Sequence, residues 1–297
     1  MDQAWEEKLR RWSKPPSETE ETRCENAVSA IKNAINASDK LKSRNIKVFP
    51  QGSYRNNTNV RLDSDVDVGV LCFDTFYFEL PTGKTRDDYG IDPATYEYAT
   101  FKNEVGEALK SYFGASAVTS GNKAFDIKEN SYHVEADVAP FFEHRRYSSV
   151  SDYLSGVELF PDNRVPPEVI NWPEQHNQNG VGKNNTTGTR YKSLVRIMKS
   201  LRNEMKEQGK GEAGPVIGFL NECLVWNVPN NLFGHTYFYD DLREVIAHLY
   251  TKTKTDAECS EWGEVSELKY LFRGPQKWTR QQVNDFTLAA WHHVGFK

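Results

Sequence analysis

The amino-acid sequence predicts an α+β protein, with a mixed sheet in its first half and helices in its second. Two patterns carry that prediction. Residues 65–71 (DVDVGVL) and 132–140 (YHVEADVAP) alternate apolar and polar side chains, as half-buried strands do. Residues 17–37, 190–208, 237–250 and 279–291 instead repeat apolar residues at helical spacing. A third observation is negative: no internal repeat or low-complexity tract interrupts the chain. At 297 residues it is long enough for two lobes with a buried core. The expected division is N-terminal helices bracing both lobes over 1–45, a catalytic core over 46–145 and a mainly helical lobe over 146–297.

Taken in order, Ser17 and Glu20 form a capping box at a helix start, and Pro15 and Pro16 stop whatever precedes it. A short strand follows at 46–49. After the strand at 65–71 come Pro81, Gly83 and Gly90, so 74–93 reads as a loop or lid. A helix is expected at 95–113, with Phe101, Val105, Ala108, Leu109 and Tyr112 on one side, then strands at 115–119, 124–127 and 132–140. The prolines and asparagines of 143–188 read as an irregular crossing between lobes. In the basic helix 190–208, Leu194, Ile197, Met198 and Leu201 point inward, and Lys192, Arg196, Lys199 and Arg202 are expected mostly in solvent. One of those cations aimed at a cleft would hold a triphosphate tail. Apolar helices at 216–226, 237–250 and 279–291 complete the chain.

Composition narrows the function. Apolar residues make up 38% and charged residues 27%, which describes a soluble globular protein. No apolar run reaches the length of a membrane span, and the opening MDQAWEEKLRRW lacks the apolar core of a signal peptide. Cys24, Cys72, Cys223 and Cys259 have no metal-ligand spacing and read as reduced thiols of a cytoplasmic protein. A formal charge of −5 argues against obligatory nucleic-acid binding, which needs a basic face, and suits small nucleotides better.

The stretch FPQGSYRNNTNVRLDSDVDVGVL, 49–71, concentrates the chemistry. Side chains alternate faces along a strand, so Asp65 and Asp67 point one way while Val66 and Val68 enter the core. Two carboxylates side by side repel each other and call for a cation, and a hard divalent ion such as Mg2+ is the natural one. Gly52 and Ser53 offer a tight turn at a helix start, where backbone N–H groups and a hydroxyl approach phosphate. Together these describe a site for a metal-bound nucleoside triphosphate. In the strand at 132–140, Glu135 and Asp137 share one face, and spacing alone leaves either as the third carboxylate.

These residues resemble the DNA polymerase β-like nucleotidyltransferases, and within them the bacterial cyclic-oligonucleotide synthases related to cyclic GMP-AMP synthase, the CD-NTases of anti-phage CBASS systems. The blocks QGSYRNNTNVRLDSDVDV (51–68) and VEADVAPFFEHRRY (134–147) are those of the whole superfamily. WPEQHNQNGVGKN (172–184), RYKSLVRIMKSLRN (190–203) and ECLVWNVP (222–229) resemble the clade E type. The resemblance implies a polymerase β-like fold with the active-site cleft between the sheet and a helical lobe. It implies that Asp137 is the third carboxylate, with Asp65 and Asp67 each binding one of two Mg2+ ions (or Mn2+). It further implies that Asp137 helps to deprotonate the attacking hydroxyl, and that Ser53 and Lys199 hold the triphosphate beside Gln51 and Gly52. One departure is Gly218, which stands where the pattern has a serine.

The implied activity is a cyclic dinucleotide synthase joining UTP and ATP, with 3′,3′-cyclic UMP-AMP as product and a downstream effector as its target. Asn171 stands before Trp172-Pro173, where purine-using relatives carry serine and pyrimidine-using ones asparagine. Its amide can donate to uracil O4 and accept from N3–H, a two-bond match that serine cannot make. The competing readings are cyclic di-UMP or another cyclic di- or trinucleotide, transfer to an RNA, drug or protein acceptor, and an inactive nucleotide sensor. No obligatory nucleic acid and no membrane is expected as a partner.

Overall fold

A computed structural model describes residues 2–60, 65–274 and 276–297. In chain order the elements are α1 (Gln3–Trp12), α2 (Glu18–Ala37), β1 (Ile46–Pro50), α3 (Gly52–Arg55), β2 (Val66–Glu79), α4 (Tyr98–Phe113), β3 (Val118–Ser120), β4 (Phe125–Ile127), β5 (Ala136–Ser149), β6 (Asp152–Leu159) and β7 (Val169–Asn171). They continue as α5 (Pro173–Thr186), α6 (Arg190–Glu207), α7 (Gly218–Trp226), α8 (Phe238–Lys252), α9 (Asp256–Cys259) and α10 (Arg280–Val294). Part of the Gly-Ser to Asp-x-Asp block, residues 61–64, lies outside the described residues.

The chain divides into two compact units. One, the sheet unit, comprises 17–54 and 64–173; the other, the helical unit, comprises 1–16, 55–63 and 174–297.

The sheet unit is α+β, with a mixed sheet in the order β1-β2-β5-β4-β3 and β6 and β7 continuing from β5. β2 and β5 pair in parallel, and the other pairs are antiparallel. Ser17 caps α2 in the expected capping box, and Ala27, Ile31, Ala34 and Ile35 turn into the core. There they meet Val66, Val68 and Val70 of β2. The ring of Phe101 on α4 stacks on Phe142 of β5 at 5.2 Å. Gly69 has no side chain because a Cβ there would lie 2.4 Å from the ring of Phe49, its register partner on β1.

Three expectations are corrected here. The loop read at 74–93 begins later, because β2 runs on to Glu79: after a register shift between Cys72 and Phe76, residues Phe76–Glu79 pair with Glu143–Arg146. The irregular stretch read at 143–188 is largely ordered. β5 continues through Pro140 to Ser149, turns into β6, and α5 follows β7. Pro140 does not end the strand; its carbonyl is taken by the Tyr98 hydroxyl at 3.0 Å. Tyr112, expected inward on α4, is 48% exposed.

The helical unit packs its own core, built from Leu9, from Leu194, Ile197, Met198 and Leu201 of α6, from Leu220 and Leu224 of α7, and from residues of α8 and α10. The cations of α6 are less solvated than their spacing suggested. Arg196 and Lys199 are both buried. Arg196 donates to the Ser13 and Asn57 carbonyls, which ties the end of the α1 segment and the 55–60 segment to one helix. Burial pulls its guanidinium down to about 10. All four cysteines are buried free thiols. Among the described residues no helix is long and apolar enough to cross a membrane.

Candidate active site

Three adjacent strands bring acidic residues to one face. In the β2–β5 ladder Asp67 is the register partner of Asp137, and in the β4–β5 ladder Asp126 is also a register partner of Asp137. Paired residues in a ladder project to the same side, so Asp67, Asp137 and Asp126 form a row across β2, β5 and β4. Asp65 lies two residues before Asp67 and is exposed, whereas Val66 and Val68, pointing the other way, are fully buried. Glu135 is exposed just before β5 begins; its carbonyl accepts from Val66 N–H at 3.1 Å.

Burial and neighbouring carboxylates set the electrostatics at the centre of this row. The Asp137 carboxyl is pushed up to about 7, first by burial, then by the hydrogen bond and charge of Asp126, then by the charges of Asp67 and Asp65. Asp126 is the residue that sequence reasoning missed. The signal was present, since Phe125 and Ile127 are buried and Asp126 between them faces the opposite side.

The turn before β2 is built onto the same face. Gln51 N–H donates to the Asp67 carbonyl at 2.8 Å, so the turn begins against the Asp-x-Asp strand. Gly52 has φ +61°, and a Cβ on it would lie 2.0 Å from Asp67 Oδ2, which leaves room for hydrogen alone. Ser53 follows within α3, which is a single turn of four residues. The sequence suggested a helix start, but one turn sums few peptide dipoles. What it offers an anion is therefore its N–H groups and the hydroxyl, rather than a helix macrodipole.

Whether this face suits a metal is decided by its donors. They are carboxylate oxygens, which match hard Mg2+ or Mn2+ and not thiophilic ions. Burial first, and the neighbouring carboxylates next, raise the Asp137 carboxyl, and a bound cation would offset the repulsion among these carboxylates. Among the described residues no three His, Cys, Asp or Glu side chains form a closed metal-holding cluster. The strands supply a shared face and register.

The remaining predicted residues fall elsewhere within the two units. Asn171 ends β7, which pairs with β6, where it sits opposite Val157. It is exposed and on a strand, and among the described residues its amide makes no hydrogen bond to its own backbone. The next residue, Trp172, is buried and locked. Its ring stands edge-on to His144 at 5.4 Å, the Arg146 guanidinium lies 4.6 Å from it, and a Cβ on Gly156 would come within 2.7 Å of it. An anchored tryptophan thus presents Asn171.

Lys199 belongs to the helical unit, where its Nζ donates to the Thr58 carbonyl at 3.0 Å and to Thr58 Oγ1 at 3.3 Å, and pairs with Glu222 at 3.5 Å. Gly218, at the start of α7, faces this lysine; a Cβ there would meet Lys199 Cε at an ordinary 3.6 Å. A serine would fit at that position.

Comparison with known proteins places this geometry in a family. Residues 178–295 match the cGAS/DncV-like nucleotidyltransferase C-terminal helical domain. A cyclic dipyrimidine nucleotide synthase, CdnE of Cecembia lonarensis, is 43% identical over 292 residues, covering 98% of each chain. The solved Elizabethkingia meningoseptica CdnE cyclic dinucleotide synthase, with GTP and Apcpp, superposes with TM-score 0.82 at 35% identity, covering 98% of this chain and 99% of that one. The Rhodothermus marinus CdnE c-UMP-AMP synthase, with Apcpp and Upnpp, gives TM-score 0.83 at 29% identity over 98% of both chains. With identity of this order spread over nearly its whole length, the chain belongs to the cGAS/DncV-like nucleotidyltransferases, within the CdnE group of cyclic dinucleotide synthases.

Proposed function

We propose that this cyclic dinucleotide synthase uses UTP, and that its uridine-containing product is a second messenger that activates an effector in anti-phage defence. The observation that carries the choice of base is Asn171. It is exposed and on a strand beside a locked tryptophan, and its amide can make the paired donor and acceptor contacts of uracil. For the second nucleotide, the family resemblance implies ATP and hence 3′,3′-cyclic UMP-AMP. A second reading, a product with pyrimidines at both positions, draws support from the 43% identity to the cyclic dipyrimidine synthase. The enzyme works in the cytoplasm on this reading, which its four free thiols support.

The reaction we propose is attack of a ribose 3′-hydroxyl on the α-phosphate of a nucleoside triphosphate, breaking the bond to the β-phosphate and releasing pyrophosphate, repeated on the linear intermediate to close the ring with loss of a second pyrophosphate. Asp65, Asp67 and Asp137 would hold two Mg2+ ions, which would supply Lewis-acid stabilisation to the reaction. Asp137 accepts the proton of the attacking hydroxyl. Asp126 props Asp137 through its hydrogen bond. Ser53 and Lys199 bind the triphosphate, where the leaving negative charge develops, and Gln51 and Gly52 set the turn against Asp67.

The test is pairwise incubation of the protein with all four nucleoside triphosphates and Mg2+, then phosphatase and mass spectrometry. A phosphatase-resistant cyclic product that requires UTP is expected. A product made without UTP overturns the choice of base. Asn171→Ser is expected to lower kcat/KM for UTP relative to ATP by about 10-fold or more, because the two-bond match to the base edge is lost. Unchanged discrimination would remove Asn171 from base selection.

A further inference from the structure

We infer that Glu222 is a positioning residue for nucleotidyl transfer, acting through Lys199 and Thr58 and not on the substrate itself. The inference rests on the reading that Lys199 meets the triphosphate tail.

Glu222 lies in the middle of α7 among Leu220, Cys223, Leu224 and Val225, all fully buried, and is itself 3% exposed. An ionised carboxylate in such a place costs several kcal/mol unless its lone pairs are answered. Here donors from three parts of the helical unit answer them. Thr58 Oγ1 donates to Oε2 at 2.7 Å, His176 Nε2 lies 2.9 Å from Oε1, and Lys199 Nζ lies 3.5 Å from Oε2. Burial alone would push this carboxyl up, but the charge of Lys199, then His176 and the Thr58 hydroxyl, outweigh burial and hold it at about 2.

The same atoms fix the ammonium. Lys199 Nζ is surrounded by the Thr58 carbonyl, the Thr58 hydroxyl and Glu222, and among the described residues Glu222 is its one acidic partner. Glu222 therefore reaches Lys199 twice, directly by charge and indirectly by orienting the hydroxyl that Lys199 also touches. Thr58 is fully buried, so its carbonyl and hydroxyl are fixed points. If stability were the sole demand, apolar residues of similar volume would serve as well as this buried ion pair or better. The arrangement instead specifies where one cation stands. Gly218 leaves the Lys199 stem uncrowded, with the nearest approach of an added Cβ at 3.6 Å.

The test is a double-mutant cycle in the full chain with Lys199→Met, Glu222→Gln and both together, following cyclic product formation. Glu222→Gln is expected to lower kcat/KM by about 10-fold or more, yet by less than about twofold when Lys199 is already Met, because coupled residues are non-additive. Inhibition by inorganic tripolyphosphate should weaken in Glu222→Gln as it does in Lys199→Met, while inhibition by a free nucleoside holds. Costs that add in the double variant, or full activity in Glu222→Gln, overturn the inference. If Lys199→Met leaves tripolyphosphate inhibition unchanged, the triphosphate reading has failed at its base. That result differs from a lysine that matters while Glu222 does not. Should Glu222→Gln not fold, Glu222→Asp carries the same cycle, since it keeps the charge and withdraws it by one methylene.

Discussion

Asp137→Asn is expected to reduce product formation by about 10³-fold or more and, in the same protein freed of divalent metal, to raise the melting temperature. The two effects have one origin. In the folded chain the Asp137 carboxyl keeps its proton up to about 7, against an ordinary value of 3.8, because burial, Asp126, Asp67 and Asp65 all oppose its charge. Folding thus takes up a proton between those two values, and stability falls as the pH rises through that window. Asparagine never ionises and is spared the fall. In EDTA at about pH 8 the variant should melt at least about 2 °C higher than the parent, a modest figure because the site is partly solvated. The gap should close as the pH drops toward the ordinary carboxylate range. Melting curves at several pH values, paired with product assays in Mg2+, check both halves. An active variant refutes the chemical role, and equal melting at every pH refutes the electrostatic one.

A smaller but still large loss is expected from a single methyl group. Gly52→Ala would place a Cβ 2.0 Å from Asp67 Oδ2 and 2.9 Å from its Cγ. Main-chain relief is restricted because Gln51 N–H is held by the Asp67 carbonyl at 2.8 Å, so the displacement falls on the carboxylate. Misplacing a reacting group by about 1 Å costs about 10²-fold, and a loss of kcat/KM of that size is expected. The positive φ of Gly52 adds conformational strain of about 1 kcal/mol. Gly83→Ala separates the two terms. It shares the left-handed backbone, at φ +82°, but an added Cβ there meets nothing within 4 Å. That variant should lose a similar small amount of stability and keep its activity. Equal activity in both variants would show that crowding at Asp67 is irrelevant.

The carboxylate face was legible because it depends on a period of two. Val66, Val68, Ala136 and Val138 had to go inward, so Asp65, Asp67 and Asp137 had to share the other side. Asp126 obeys the same rule but sits in a strand of three residues, too short for alternation to stand out. The lengths of β2 and β5 were underestimated for related reasons. The register shift after Cys72 breaks the alternation that defines a strand, and Pro140 looks like a terminator because it cannot donate to a ladder. The capping box of α2 was readable because both partners lie within one turn. The burial of Arg196 and Lys199 was not. Their partners, the Ser13 and Asn57 carbonyls for one, Thr58 and Glu222 for the other, are brought to α6 by tertiary contacts that no local pattern encodes.

The parallel pairing of β2 with β5 bears on how the enzyme comes into being. Asp67 leaves the ribosome long before Asp137, and the two become neighbours once α4 and the β3–β4 hairpin between them have been laid down. A ladder closed over so many residues forms slowly and late, since loop-closure entropy precedes the contacts that offset it. A nascent or truncated chain ending before β5 would therefore carry Asp65, Asp67 and Asp126 but lack both Asp137 and the central strand that aligns β2 with β4.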